Sequence, residues 1–207
     1  MSERQAIQIL PMKSEHVSEV AQLHIEGIKE AFISSLGSRF VCHLYQAILE
    51  SDKVFGFVAV RDGKVLGFIS CAESAGVVYK VILRKKLFKL LWAYLPKILR
   101  LKSIRNLIET LFYPVRCQSD LPSAELLAIV VRQEARGLGL GRMLVEASSN
   151  EFRKRGVRAF KVIVDELFPS NDFYKRLCFK LVGKYRRHGD MHNTYVLEIK
   201  NKKAQIC

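Results

Sequence analysis

Glu125-Leu126-Leu127-Ala128-Ile129-Val130-Val131-Arg132-Gln133-Glu134-Ala135-Arg136-Gly137-Leu138-Gly139-Leu140-Gly141-Arg142 is the most informative stretch of the chain. Its first seven residues form a nearly unbroken apolar run, the pattern of a strand buried on both faces. Three alternate glycines follow, and a helical pattern then runs from about Leu140 to Arg155. Glycine lets backbone N–H groups turn inward and lets a ligand approach without a Cβ in the way. Those amides, with the positive end of the helix dipole, make an anion site suited to a pyrophosphate. Arg136 and Arg142 flank the turn and add charge-assisted donors. A dinucleotide fingerprint needs G-x-G-x-x-G near the first strand, and a P-loop needs G-x-x-x-x-G-K-[ST]. Here the spacing is G-x-G-x-G, late in the chain, and neither pattern is met.

Working outward, Ala6 to Leu10 is a short apolar strand candidate. Val17, Val20, Ala21, Leu23, Ile25 and Ile28 recur at helical spacing between Ser14 and Phe32, with Ser14 as N-cap. A second helical pattern covers Arg39 to Leu49. Val54–Arg61 and Val65–Ala72 are strand-like runs joined by Asp62-Gly63, a strong hairpin signal. Beyond the glycine turn come a strand at Val157–Val164, a short helix at Ser170–Leu177, and a closing strand pair at Lys180–Lys184 and Asn193–Ile199. This order predicts an α/β fold, a mixed central sheet with flanking helices. Between the third strand, Val65–Ala72, and the fourth, Glu125–Val131, residues 77–116 read as an inserted pair of amphipathic helices. They split at Pro96 and close at Pro114.

The chain has 207 residues, 49% hydrophobic and 26% charged, with only 12 Gly and 5 Pro, which excludes disordered and collagen-like classes. One domain over residues 1–207, carrying the insertion, is the expected organisation. No apolar run reaches the roughly 18 residues of a membrane span, and MSERQAIQIL lacks the pattern of a secretory signal. A soluble, cytoplasmic protein is expected. Net charge is +14, and residues 80–116 hold ten bases against the single acid Glu109. Such a segment fits a solvated face, or a surface for phosphates, anionic lipid or an acidic protein. The five cysteines (Cys42, Cys71, Cys117, Cys178, Cys207) show no CxxC, and the histidines no metal spacing, so no metal is expected. No nucleic-acid motif accompanies the charge.

Arg136-x-x-Gly139-x-Gly141 after an apolar strand, followed by Asn171-Asp172-Phe173-Tyr174-Lys175-Arg176-Leu177-Cys178-Phe179, resembles the paired motifs of the GNAT superfamily of acyl-CoA-dependent N-acyltransferases. The resemblance covers residues 6–76 and 117–200 and is strongest over 124–185. It departs at Cys178, where the family carries Gly, and at 77–116, which has no counterpart in the compact family core.

The resemblance implies a V-shaped opening between the strands at 125–131 and 157–164. The pantetheine arm of acetyl-CoA, or of a longer acyl-CoA, would bond the main chain of Ile129, Val130 and Val131. Its pyrophosphate would lie on the amides of Arg136, Gly137, Leu138, Gly139, Leu140, Gly141 and Arg142. Asn171, Phe173 and Tyr174 would sit on the cofactor side. An amine attacks the thioester directly in this family. Tyr174 then matches the acid that protonates the departing thiolate, and Glu125 stands where histone-acetylating members carry their base. The residues alone also allow core packing for Tyr174, a helix cap for Asn171 and a solvent-facing strand end for Glu125.

The leading expectation is acetyl transfer to the primary amine of a small molecule or peptide. The alternative is a long-chain fatty N-acyltransferase using acyl-CoA or acyl carrier protein. There, residues 79–113 would roof the acyl end, with their basic face meeting an acidic carrier or an anionic membrane surface. A non-catalytic CoA-binding or regulatory module is the reading from a different class.

Overall fold

The computed structural model describes residues 6–29, 32–74, 76, 121–187 and 190–199. The helical pair expected at 77–116 lies outside the described residues, as do Cys117 and Cys207. Seven strands form one sheet: β1 Gln8–Pro11, β2 Val54–Arg61, β3 Lys64–Ala72, β4 Glu125–Val131, β5 Ala159–Asp165, β6 Lys180–Arg187 and β7 Asp190–Glu198. Their spatial order is β1-β2-β3-β4-β5-β7-β6. Every neighbouring pair is antiparallel except β4 with β5. Helices α1 Val17–Gly27, α2 Phe32–Ser35, α3 Ser38–Leu49, α4 Leu140–Lys154 and α5 Ser170–Arg176 complete the described fold. The mixed sheet with flanking helices follows the order of elements in the sequence.

Two apolar clusters lie on the two faces of the sheet. α4 brings Leu140, Leu144, Val145 and Phe152 against Leu126, Phe160, Val162 and Val164. On the other face α1 and α3 bring Val17, Val20, Leu23, Val41 and Tyr45 against Val58, Phe68, Ala128 and Val130. Period-two alternation shows at Phe68 and Ile69 of β3, which are both fully buried but belong to opposite clusters. On the α1 face the Tyr45 hydroxyl and His24 Nδ1 lie 2.8 Å apart. Burial pushes the His24 imidazole down to about 4, so it is neutral at pH 7.

The β2–β3 hairpin closes through Asp62 and Gly63, with φ of 51° and 73°. Positive φ at both central residues matches the right-handed strand twist, which is why Asp-Gly is favoured there. The start and end of the first helix differ from expectation. Ser14 opens a single 3-10 turn, and the Lys13 N–H donates to His16 Nδ1 at 3.0 Å. α1 ends at Gly27, where it presses on β4: a Cβ at Gly27 would meet Val130 Cγ1 at 2.4 Å. β6 and β7 are longer than expected, so Tyr185 and Arg186 lie within β6, and Tyr185 stacks on His192 at 5.7 Å.

α5 ends in a Schellman motif. The Phe179 N–H donates to the Tyr174 carbonyl (3.1 Å) and the Cys178 N–H to that of Lys175 (3.0 Å). Cys178 takes the left-handed position, φ 63°, that glycine usually fills. A side chain there costs about 1–2 kcal/mol, partly offset because glycine loses about 0.5–1 kcal/mol more chain entropy on folding. Cys178→Gly should therefore raise the melting temperature by about 1–4 °C, taking 2–4 °C per kcal/mol for a chain of this size. Calorimetry reading an unchanged or lower melting temperature would show that the strain is relieved elsewhere.

Candidate active site

β4 leads through a 3-10 turn at Gln133–Ala135 into the glycine segment and α4. Gly137 and Gly139 hold φ of 81° and 75°, and each faces open space where a Cβ would stand. Both conditions suit a backbone that a ligand approaches closely. Gly139 is the N-cap of the 15-residue α4, and the first helical bond runs from the Met143 N–H to the Gly139 carbonyl at 3.1 Å. The amides of Leu140 and Gly141 precede that bond, at the helix end where N–H groups point outward along the axis. Together with the helix dipole they give this turn the polarity that suits an anion. Arg136 Nε donates to the Val131 carbonyl at 3.4 Å, and Arg142 pairs with Glu146 at 2.9 Å, so both guanidinium groups are anchored beside the turn.

Gly141 has a different reason for being glycine. A Cβ there would meet the Phe173 ring at 2.8 Å, so the first turn of α4 and the side chain of α5 interlock. That contact brings the two sequence motifs into one place.

β4 and β5 meet at one register pair, Glu125 with Lys161, and the Lys161 N–H donates to the Ala124 carbonyl at 2.9 Å. Past that pair no ladder joins the two strands among the described residues, while β3 and β7 hold their outer edges. The main chain of Leu126 to Val131, with Ile129, Val130 and Val131 at its far end, thus borders an opening with the polarity of a strand edge. Glu125 lies at the closed end of that opening. It is 9% exposed and forms an ion pair with Lys161, itself 4% exposed, at 3.7 Å. Lys161 Nζ also donates to the Pro122 carbonyl. Glu125 is therefore not a solvent-facing strand end. By strand alternation it faces the α1 side, since Leu126 packs with α4.

Tyr174 is 4% exposed. Its ring stacks on Tyr195 (6.1 Å between centroids) and meets Phe179 and Phe173 edge-on at 5.3 and 5.2 Å. Burial pushes its hydroxyl above the ordinary tyrosine range, and the nearby Cys71 adds to this. Asn171 does not cap α5. Its Nδ2 donates to the carbonyls of Asp165 (2.8 Å), Glu166 (3.1 Å) and Phe168 (2.7 Å). Its Oδ1 accepts from Asn193 Nδ2 (2.8 Å) and the Tyr195 hydroxyl (3.1 Å). The amide thus ties α5 to the β5–α5 loop and to β7.

Lys161, Asn193, Tyr195 and Cys71 were not singled out from the sequence. Lys161 alone carried a signal, a lone cation inside the apolar run Phe160–Val164. At the mouth of the opening, Glu26, Gly27, Ile28, Lys29 and Phe168 line a depression of about 190 Å³. Among the described residues no three His, Cys, Asp or Glu side chains converge as metal ligands.

The GNAT family of acetyltransferases, as a sequence model, matches residues 25–179. No protein of curated function matches the chain significantly. Among solved structures, the ribosomal-protein-S18-alanine N-acetyltransferase of Escherichia coli superposes with a TM-score of 0.58 at 14% identity, covering 98% of this chain and 99% of that one. Ard1 of Thermoplasma volcanium gives 0.59 at 14% identity, covering 95% and 100%. NAA60 of Arabidopsis thaliana, solved with acetyl-CoA, gives 0.57 at 16% identity, covering 94% and 99%. These structures share the fold, and the family model spans well over half of the sequence. The chain belongs to the GNAT acetyltransferase family.

Proposed function

We propose that this protein moves an acetyl group from acetyl-CoA to a primary amine by direct attack of the amine on the thioester. The observation that carries this is the interlock of Gly141 with Phe173, which joins the glycine turn of α4 to the helix bearing Tyr174 beside the splayed β4 and β5. In this reading the amides from Arg136 to Arg142 hold the pyrophosphate. The main chain of Ile129 to Val131 aligns the pantetheine arm, and a β4 N–H near Val130 holds the oxyanion. Tyr174 gives its proton to the leaving thiolate. Glu125, held in place by Lys161 at the closed end of the opening, takes the ammonium proton.

The acceptor is an amine on a small molecule or peptide, in keeping with relatives such as the S18-alanine enzyme. A longer acyl donor, with an acidic carrier or anionic membrane surface as partner, rests on the apolar and basic residues of 79–113 alone. A donor series from acetyl- to palmitoyl-CoA tests both readings. It is run against spermidine, L-lysine, phenethylamine and a free-N-terminal tetrapeptide, following release of the CoA thiol. Acetyl-CoA should be the fastest donor with at least one of these amines. Decanoyl-CoA outrunning acetyl-CoA would transfer the conclusion to the long-chain reading, and no turnover of any donor would leave a CoA-binding module.

Gly139→Val places a β-branched side chain at a positive φ and walls off the open side of the turn. CoA affinity by calorimetry should fall at least about tenfold, or 1.4 kcal/mol, with the fold retained by circular dichroism. Undiminished affinity would move the pyrophosphate elsewhere.

For Glu125, Glu125→Gln leaves a buried lysine unpaired and should cost about 3–5 kcal/mol of stability. Glu125→Leu combined with Lys161→Leu should recover most of that stability. If Glu125 is the base, kcat of the double variant stays down by about 10²-fold or more. Recovery of kcat would leave Glu125 as a strand lock alone.

A further inference from the structure

We propose that Asn193 and Tyr195 of β7 are positioning residues for Tyr174, acting through Asn171; this rests on the reading of Tyr174 as the group that protonates the thiolate. α5 has only seven residues, and Pro169 at its N-cap makes no side-chain capping bond. So short a helix does not fix its own place. A proton donor nonetheless has to stand within about 3 Å of the atom it serves. The positioning therefore comes from outside the helix.

The partners of the Asn171 amide, itself on α5, supply it. The three carbonyls of Asp165, Glu166 and Phe168 can only accept, so they draw Nδ2 toward the β5–α5 loop. Asn193 Nδ2 can only donate, so it draws Oδ1 toward β7. With the amide orientation set from both sides, Oδ1 also receives the Tyr195 hydroxyl at 3.1 Å. Tyr195, 1% exposed, is thereby held at its polar end, and its ring stacks on that of Tyr174 at 25° between planes. Loop, amide, Tyr195 and Tyr174 close a circuit. β7 is in turn fixed to β5 by seven register pairs, Asn193 facing Val164 and Tyr195 facing Val162. The ladder thus passes its rigidity to the Tyr174 ring through one amide and one stacked ring.

Tyr195→Phe tests this mildly, because it removes the hydroxyl and keeps the stacked ring. With acetyl-CoA as donor and the fastest of the four amines above as acceptor, kcat should fall about tenfold, a part of the 10²–10⁴ a general acid contributes. KM for acetyl-CoA should stay within about twofold, as for an interaction expressed at the transition state. In a Tyr174→Phe background the same change should have no further effect, since residues acting through one group are non-additive. Asn193→Ala should show the same pattern, with its melting temperature measured alongside.

A readout free of the acceptor is the ¹³Cζ resonance of Tyr174, assigned by its loss in Tyr174→Phe. Adding CoA should shift it in the wild type and shift it less in Tyr195→Phe. If Tyr174→Phe slows turnover while Tyr195→Phe is silent, or adds independently to it, and the resonance shift is unchanged, the positioning role is overturned and the acid role stands. If Tyr174→Phe retains full rate and its resonance ignores CoA, the acid reading falls and this inference with it.

Discussion

A single buried contact sets the geometry of the site: Glu125 on Lys161, at the one position where β4 and β5 still pair. Parallel strands that paired throughout would leave no opening, and strands that never met would leave no defined one. The ion pair at 3.7 Å, with Lys161 also bonded to the Pro122 carbonyl, fixes where pairing stops. Its net contribution to stability is small, since desolvation offsets most of the attraction. Its value lies in specificity, because removing either partner strands a charge in the sheet. The same lysine thus also holds the backbone three residues ahead of β4.

From that point the two strands diverge, β4 toward the glycine turn of α4 and β5 toward α5. α4 is fixed at both ends. Leu140 and Leu144 sink into the core at its start. At its close Arg155 binds Glu151 (2.8 Å) and Glu73 (3.0 Å) and lies 4.6 Å over the Phe55 ring. The glycine turn can therefore hold two left-handed residues without loosening the helix it begins. α5 is too short for such anchoring and borrows its order from Phe173 against Gly141 and from the Asn171 network.

The legible parts of the sequence were those whose cause is local. Asp62-Gly63 named its hairpin because only certain residues accept positive φ there. Glu125–Val131 named a buried strand, and Gly137 and Gly139 a turn at positive φ, for equally local reasons. Gly141 was read as a third ligand-facing glycine, but its cause is the Phe173 ring, 32 positions away and invisible to spacing. Asn171 matched a motif while its amide is spent on partners as far as Tyr195. Glu125 drew attention as a strand-end acid, yet the partner that defines it lies on β5. The apolar spacing ran on past Gly27, where α1 ends, and the tight contact of Gly27 with Val130 is a pairing across layers. Pairings across the sheet carry no periodic signature, so the roles they assign emerge only with the fold.

The burial of Tyr174 raises a question that its neighbour answers. A hydroxyl pushed above the ordinary tyrosine range is a weaker acid, and a thiol's ordinary value of about 8.5 would make proton transfer to its thiolate uphill. Cys71 reports what that neighbourhood does to a thiol: burial pushes it up to about 12, with the Ser148 hydroxyl only partly opposing the rise. The effect is general, because low-dielectric surroundings penalise any anion, phenolate or thiolate alike. A thiolate released beside Tyr174 would be a stronger base there for the same reason that Tyr174 is a weaker acid. The two shifts run in the same direction. Distance and alignment then limit the transfer proposed for Tyr174, and those are the quantities proposed to rest on Asn193 and Tyr195.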